Sequence, residues 1–343
     1  MTAATPVAAS SAADPLPETG TGPNRRKALA ALAIRLGALL TFAFIMLYFA
    51  LTARGFLSAY NAFNVVEQSA ILGVLAFGTA VVIVGGGAEV QTGGIDLSIA
   101  ANAGLCAAVF ATLSTAGFNP TVVLLATLGT GLAVGALNAF AVVGLGILPL
   151  LATLAVMNVA AGLELTLTEN TVVSAASPVL AFLQTGRFLG VSTLAWTLIL
   201  FSALMILVVH HTAVGPRLYA VGGHPEAARA AGLDVGAYVA GTYLFSGFCA
   251  AFASVLLVSR LSASTPGTGE LLLSVLAAAL LGTVFSRRFV PTMGGTLLST
   301  LFIGFLANGF QLLGVSSYWV AGVQGALILL VVAVTSFARP QEH

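Results

Sequence analysis

Asp96 and Ser98, in the stretch Gly93-Gly94-Ile95-Asp96-Leu97-Ser98, set a carboxylate and a hydroxyl two residues apart at the edge of an apolar run. Such a pair suits the amino end of a helix, where unpaired N–H groups and the helix dipole favour an acceptor. The same groups offer hydrogen bonds to a polar solute. Residues 85–98 hold five glycines and two carboxylates, Glu89 and Asp96, between two apolar runs. Irregular backbone at membrane depth must be buried in protein or line a wet cavity. Two readings stay open: a capped turn at the membrane face, and a mobile junction beside a solute path, where glycine lowers the cost of rearrangement.

Asn102, Asn138 and Asn308 are the other small polar groups set within apolar stretches. With Asp96 and Ser98 they make the candidate substrate path, because asparagine and serine replace water around hydroxyl groups without burying an ion. Interhelical glue is the alternative role for each. Glu164 is the ionisable group set deepest in an apolar run, a position that marks function once its partner is known. No catalytic set accompanies these groups. Neither G-x-S-x-G nor H-E-x-x-H occurs, and His210, His211 and His224 cluster away from the carboxylates. Cys106 and Cys249 lack C-x-x-C spacing and read as small apolar residues rather than as metal ligands or a disulfide. Lys27 is the single lysine, so no P-loop exists, and any ATP that drives the protein is hydrolysed on another chain. The expectation is a non-enzyme that binds no cofactor or metal itself.

The elements that position such groups must be membrane helices. Of 343 residues, 59% are hydrophobic and 7% charged, against about 25% charged in soluble proteins. A mean hydropathy of +1.06 leaves most segments with nothing to face water. The net charge of +1 argues against a nucleic-acid partner. A span needs about 20 mostly apolar residues. That ruler gives 29–53, 63–85, 97–116, 121–143, 147–168, 191–210, 237–258, 271–285, 293–312 and 318–337, about ten helices, the short eighth with room to extend upstream through Gly269. Residues 1–27 read as a disordered tail, 28–338 as one transmembrane domain and 339–343 as a second tail. The run after Arg25-Arg26-Lys27 is too long for a signal peptide's apolar core, so it reads as a first span. Eight basic residues fall on one side and Arg54, Arg187 and Arg260 on the other, which favours both termini in the cytoplasm. Gly129, Gly131 and Gly135 give the fourth span a face for close helix packing.

Two loops stand out. The cytoplasmic loop 211–236 contains Pro225-Glu226-Ala227-Ala228-Arg229-Ala230-Ala231-Gly232, with proline at a helix start, glycine at its end and charges that suit the dipole. Two turns are too short to stand alone in water. Either the helix packs on its own bundle or it docks on a cytoplasmic partner. Outside, residues 169–190 form a plain connection or a platform for an exterior partner.

Gly93-Gly94-Ile95-Asp96-Leu97-Ser98, the stretch Tyr219 to Leu233, and Asn308-Gly309-Phe310-Gln311-Leu312-Leu313-Gly314-Val315-Ser316-Ser317-Tyr318 together resemble the permease subunits of ribose-type monosaccharide ABC importers. The likeness runs from about Phe56 to Phe337. It implies an all-α, type II-like permease of the bacterial inner membrane, with two inverted-topology halves of helices two to five and seven to ten. It also implies a homodimer or a related second permease, two cytoplasmic ATPase subunits that hold ATP and magnesium, and a periplasmic solute-binding protein. The family's ATPase-coupling helix maps onto Gly222, Gly223, Pro225, Glu226, Arg229 and Gly232. Members commonly carry an acidic pair after the Gly-Thr-Gly stretch, whereas Gly267-Thr268-Gly269 is followed by Glu270 alone, and Ala161 stands where an arginine is often found. Those departures admit a deoxysugar, a polyol or an amino-sugar derivative in place of ribose. Other readings are an ion-coupled secondary transporter, an ABC permease for nucleosides or amino acids, and a non-transporting membrane scaffold.

Overall fold

A computed structural model describes residues 40, 42–87, 94–284, 286, 290–316, 319–323, 325, 326 and 329. Among the described residues, six helices are long and apolar enough to cross a membrane. They are α2 (Ala59–Gly86), α4 (Pro120–Ala139, continued as a π-helix over Phe140–Gly144), α5 (Pro149–Thr168), α7 (Thr193–His211), α10 (Val235–Leu261) and α12 (Met293–Leu312). Shorter apolar helices are α1 (Phe42–Thr52), α3 (Ile99–Thr115) and α11 (Leu272–Leu281), the last preceded by a 3-10 turn at Thr268–Leu271. The eighth expected span therefore does begin upstream of Gly269, and it ends at Leu281, short of residue 285. The expected tails, Arg287, Arg288 and most of the tenth span lie outside the described residues.

Both conspicuous loops carry more structure than the sequence suggested. Residues 169–190 contain β1 (Val173–Ser174), α6 (Pro178–Thr185) and β2 (Arg187–Phe188); β2 pairs antiparallel with β3 (Val191–Ser192) and β1 with β4 (Ala263–Ser264). The segment 211–236 holds two helices, α8 (Val214–Gly223) and α9 (Pro225–Ala230). Pro216 sits in the first turn of α8, where its missing N–H costs nothing. Side chains of Ser58, Asn119, Ser192, Asp234 and Thr292 cap α2, α4, α7, α10 and α12. Each cap contributes about 1 kcal/mol and ends a helix at a defined residue.

Beyond its polar first part, which carries Asn61, Asn64, Glu67 and Gln68, helix α2 is apolar nearly all round from Ala70 to Val84, and this stretch is the buried axis of the bundle, packed by α7, α10, α11 and α12. Helices α4 and α5 bury much less of themselves and present Leu125, Leu137, Phe140, Leu151, Leu154 and Val159 outward. Where α4 crosses α10 the contact is backbone on backbone. A Cβ on Gly135 would lie 2.5 Å from the Tyr243 carbonyl oxygen, and one on Gly131 would lie 2.5 Å from that of Gly247. Small residues are what permit this approach. Helix α1 is pinned to α12 by Phe42 against Phe302, ring centroids 3.9 Å apart, and by Phe49 against Phe310 at 5.2 Å.

Candidate functional site

The chain enters α3 along the end of α2. Gly94 donates its N–H to the Gly87 carbonyl at 3.0 Å. A side chain there would collide with the Val82 carbonyl oxygen, so only glycine lets the two backbones touch. Two residues on, Asp96 is buried and accepts from four donors. Oδ1 takes the Ser98 N–H at 2.9 Å, the Ser98 hydroxyl at 2.7 Å and the Asn138 amide at 3.4 Å. Oδ2 takes the Ser246 hydroxyl at 2.5 Å. The sequence suggested helix capping by Asp96 and Ser98. Asp96 instead folds back on Ser98 in an Asx-type turn, and Ser98 makes no side-chain cap bond.

Asn138, in the last turn of α4, donates to the Ser98 hydroxyl at 2.7 Å. Among the described residues its buried carbonyl oxygen has no hydrogen-bond partner, and the same holds for the hydroxyl of Tyr243, one turn before Ser246 on α10. Unmatched buried polar atoms of this kind cost about 1–3 kcal/mol each. Thus Asp96, Ser98 and Asn138 converge, while Ser246 and Tyr243 complete a cluster drawn from three segments. Serines recur along α10, as at Ser254 and Ser259, and nothing in their spacing singles out Ser246.

The other two path candidates bond elsewhere. Asn102 reaches the Gly131 carbonyl at 3.2 Å and accepts from the Cys106 thiol at 3.5 Å, so it ties α3 to α4. Asn308 accepts from Asn61 at 2.8 Å, joining α12 to α2, and Asn61 also donates to the Phe56 carbonyl at 3.0 Å. Asn61 was not singled out in the sequence. The partners of Glu164 are now visible. Its carboxyl lies against Gly104 of α3, where a Cβ would come within 2.6 Å, and the backbone of Gly267 and Thr268 stands near it. Among the described residues its buried Oε1 has no hydrogen-bond partner.

At the opposite end of α2 from its Ser58 cap, α9 starts on Pro225 and exposes Glu226 and Arg229 while burying Ala228. Gly232, at φ +84°, closes it: Leu233 N–H reaches the Ala228 carbonyl and Gly232 N–H that of Arg229, both at 3.0 Å. This is a Schellman ending, which requires the left-handed residue. Gly222 lies against the Val84 carbonyl so closely that a Cβ would collide, whereas Gly223 faces open space. The last turn of α2 therefore touches Gly94, just before Asp96, and Gly222, just before α9. His210, His211 and His224 belong to no group capable of holding a metal among the described residues.

The model of the family described as "Branched-chain amino acid transport system / permease component" matches residues 61–332. This chain belongs to that family. The permease is 33% identical over 301 residues to the ribose import permease protein of Bacillus subtilis, covering 87% of this chain and 91% of the relative. It is 34% identical to the ribose import permease protein of Escherichia coli K12, covering 81% and 86%. Likeness to the L-arabinose ABC transporter permease protein of Azospirillum brasilense is 29% identity over 96% of each chain. No solved structure matches the permease significantly.

Proposed function

We propose that the permease is the membrane-spanning subunit of a bacterial ATP-binding cassette importer that carries a monosaccharide or related small polar solute across the inner membrane. The observation that carries this is similarity to ribose and arabinose permeases over nearly their whole lengths. The cluster of Asp96, Ser98, Asn138 and Ser246 supports it, since hydroxyl, amide and carboxyl groups suit a polyhydroxylated solute, and the free Asn138 carbonyl accepts a hydroxyl donor. About ten helices in two inverted halves, both termini cytoplasmic, make the scaffold.

ATP and magnesium belong to separate ATPase subunits. Their closure pushes on α9 through Glu226 and Arg229, and the permease, as a homodimer or with a related second permease, alternates between outward and inward access. A periplasmic binding protein delivers the solute. Asp96, Ser98, Asn102, Asn138 and Asn308 line or shape the path. The test is uptake of labelled ribose, arabinose and galactose in proteoliposomes holding the permease with its ATPase and binding protein, with nucleosides and branched-chain amino acids as competitors. ATP-dependent uptake of a sugar is expected, and Arg229→Glu should abolish most uptake and solute-stimulated ATPase activity while membrane insertion stays intact. Uptake driven by an ion gradient without ATP, or competition by amino acids alone, overturns the reading.

A further inference from the structure

A groove of about 580 Å³ lies between α7, α8 and the stretch of α10 from Ala237 to Phe252. Phe201 and Met205 of α7 and Phe245, Phe248 and Phe252 of α10 line it. The rings form a continuous ladder, Phe245 to Phe248 at 6.2 Å, Phe248 to Phe252 at 6.1 Å and Phe252 to Phe201 at 5.7 Å. Thr242 also lines the groove, yet its hydroxyl is spent on the Val239 carbonyl at 2.7 Å. Apart from the Tyr238 hydroxyl the surface offered is almost wholly apolar, and its volume lies within the range of ligand sites, about 300–1,000 Å³.

Length and charge identify an occupant. On α10 the lining runs from Ala237 to Phe252, about 22 Å of helix at 1.5 Å per residue. One leaflet of hydrocarbon is about 15 Å deep, so the groove spans a leaflet and reaches its headgroup layer. At the α8 end, Val214 and Leu218 line the mouth, and Arg217 stands between them on the same helix, exposed. His210 and His211 close α7 at the same edge. Asp234, the acid nearest in sequence to this end of α10, is engaged in capping that helix through the Ala237 N–H at 3.0 Å. Helix α1, as described over Phe42–Thr52, is held on α12.

We propose that this groove binds one acyl chain of an anionic phospholipid, whose phosphate is held by Arg217 at the α8 edge. A guanidinium fork matches phosphate oxygens, and each cation near a headgroup adds about fivefold to affinity for an anionic lipid. Occupancy braces α8 against α7 and α10. The proposal needs only that these helices cross a bilayer, so it stands or falls apart from the identity of the solute.

Native mass spectrometry of the purified full-length permease, after exchange into phosphatidylglycerol or phosphatidylcholine of matched chains, tests it. Wild-type permease should retain phosphatidylglycerol about fivefold better than phosphatidylcholine. Gly241 lines the groove, is exposed, and has nothing within 4 Å of an added Cβ, so the side chain of Gly241→Leu enters the groove from an open position, and leucine is the better helix former. That variant should lose retention of both lipids while its melting temperature in lipid-free detergent does not fall. Arg217→Gln should lose only the preference for phosphatidylglycerol. Unchanged retention in Gly241→Leu, no headgroup preference in the wild type, or disulfide-linked dimers formed by Gly241→Cys, which would mean that a second copy covers the groove, each overturn the proposal.

Discussion

Ser246→Ala isolates one hydrogen bond in the polar cluster. The change removes a single oxygen from a fully buried site on α10 and leaves the helix intact, since alanine is the better helix former. What is lost is the bond to Asp96 Oδ2, the one partner found for that oxygen. Interhelical hydrogen bonds in membrane proteins are worth about 0.6–1.7 kcal/mol, and this loss leaves a buried carboxyl oxygen without its partner, so about 1.5 kcal/mol is expected. Ser254→Ala supplies the comparison. That serine is equally buried on the same helix, but its hydroxyl bonds the Ala251 carbonyl of its own helix at 2.7 Å. Its removal should cost about 0.5 kcal/mol or less. Thermal unfolding of the two purified variants in the same detergent reads the difference directly. The Ser246 variant should melt about 2 °C below wild type and the Ser254 variant about 0.7 °C below or less. Equal losses, or a larger loss for Ser254→Ala, would show that Asp96 is not held as the structure has it, and the role given to the cluster would fall with it.

Gly222→Ala drives a methyl group into the Val84 carbonyl and brings it within 3.0 Å of the Gly87 nitrogen, so α8 must move off α2 at a cost of about 1–3 kcal/mol. Its neighbour Gly223→Ala meets nothing, so thermal unfolding in detergent should show a loss in the first variant and none in the second. Asn308→Ala removes the acceptor for Asn61, which keeps its bond to Phe56, so stability should fall by about 1 kcal/mol with the complex still assembled. Uptake should fall as well, and an unchanged rate in labelled-sugar assays would take Asn308 off the path.

Much of the bundle was legible because its solvent is lipid: apolar length alone located the spans, and α4, α5, α7, α10 and α12 begin and end within a few residues of the expected bounds. Helix α9 was legible for a different reason, since proline at its start and glycine after its end are local backbone requirements. Helix α8 was not, because Gly215, Pro216, Gly222 and Gly223 read as a loop until α2 is there to pack against. The site divides in the same way. Asp96, Ser98 and Asn138 announce themselves as polar groups in apolar surroundings. Ser246 lies 150 residues from Asp96, and only the crossing of α10 with α4 and the start of α3 tells it from the other serines. Asn308 looked like its fellow asparagines, yet its rotational position on α12 turns it to Asn61, a matter that composition does not encode.

The glycine crossing of α4 and α10 acts as a gauge for the whole polar cluster. Asn138 follows Gly135 by three residues and Ser246 immediately precedes Gly247, so the separation of the two backbones sets how far the asparagine stands from the serine. A hydrogen bond is lost over a few tenths of an ångström, while one added methyl would part the helices by more than that. The crossing thus cannot widen without breaking the cluster apart. Any change in what these polar groups meet has to come from the side chains around a spacing that stays the same.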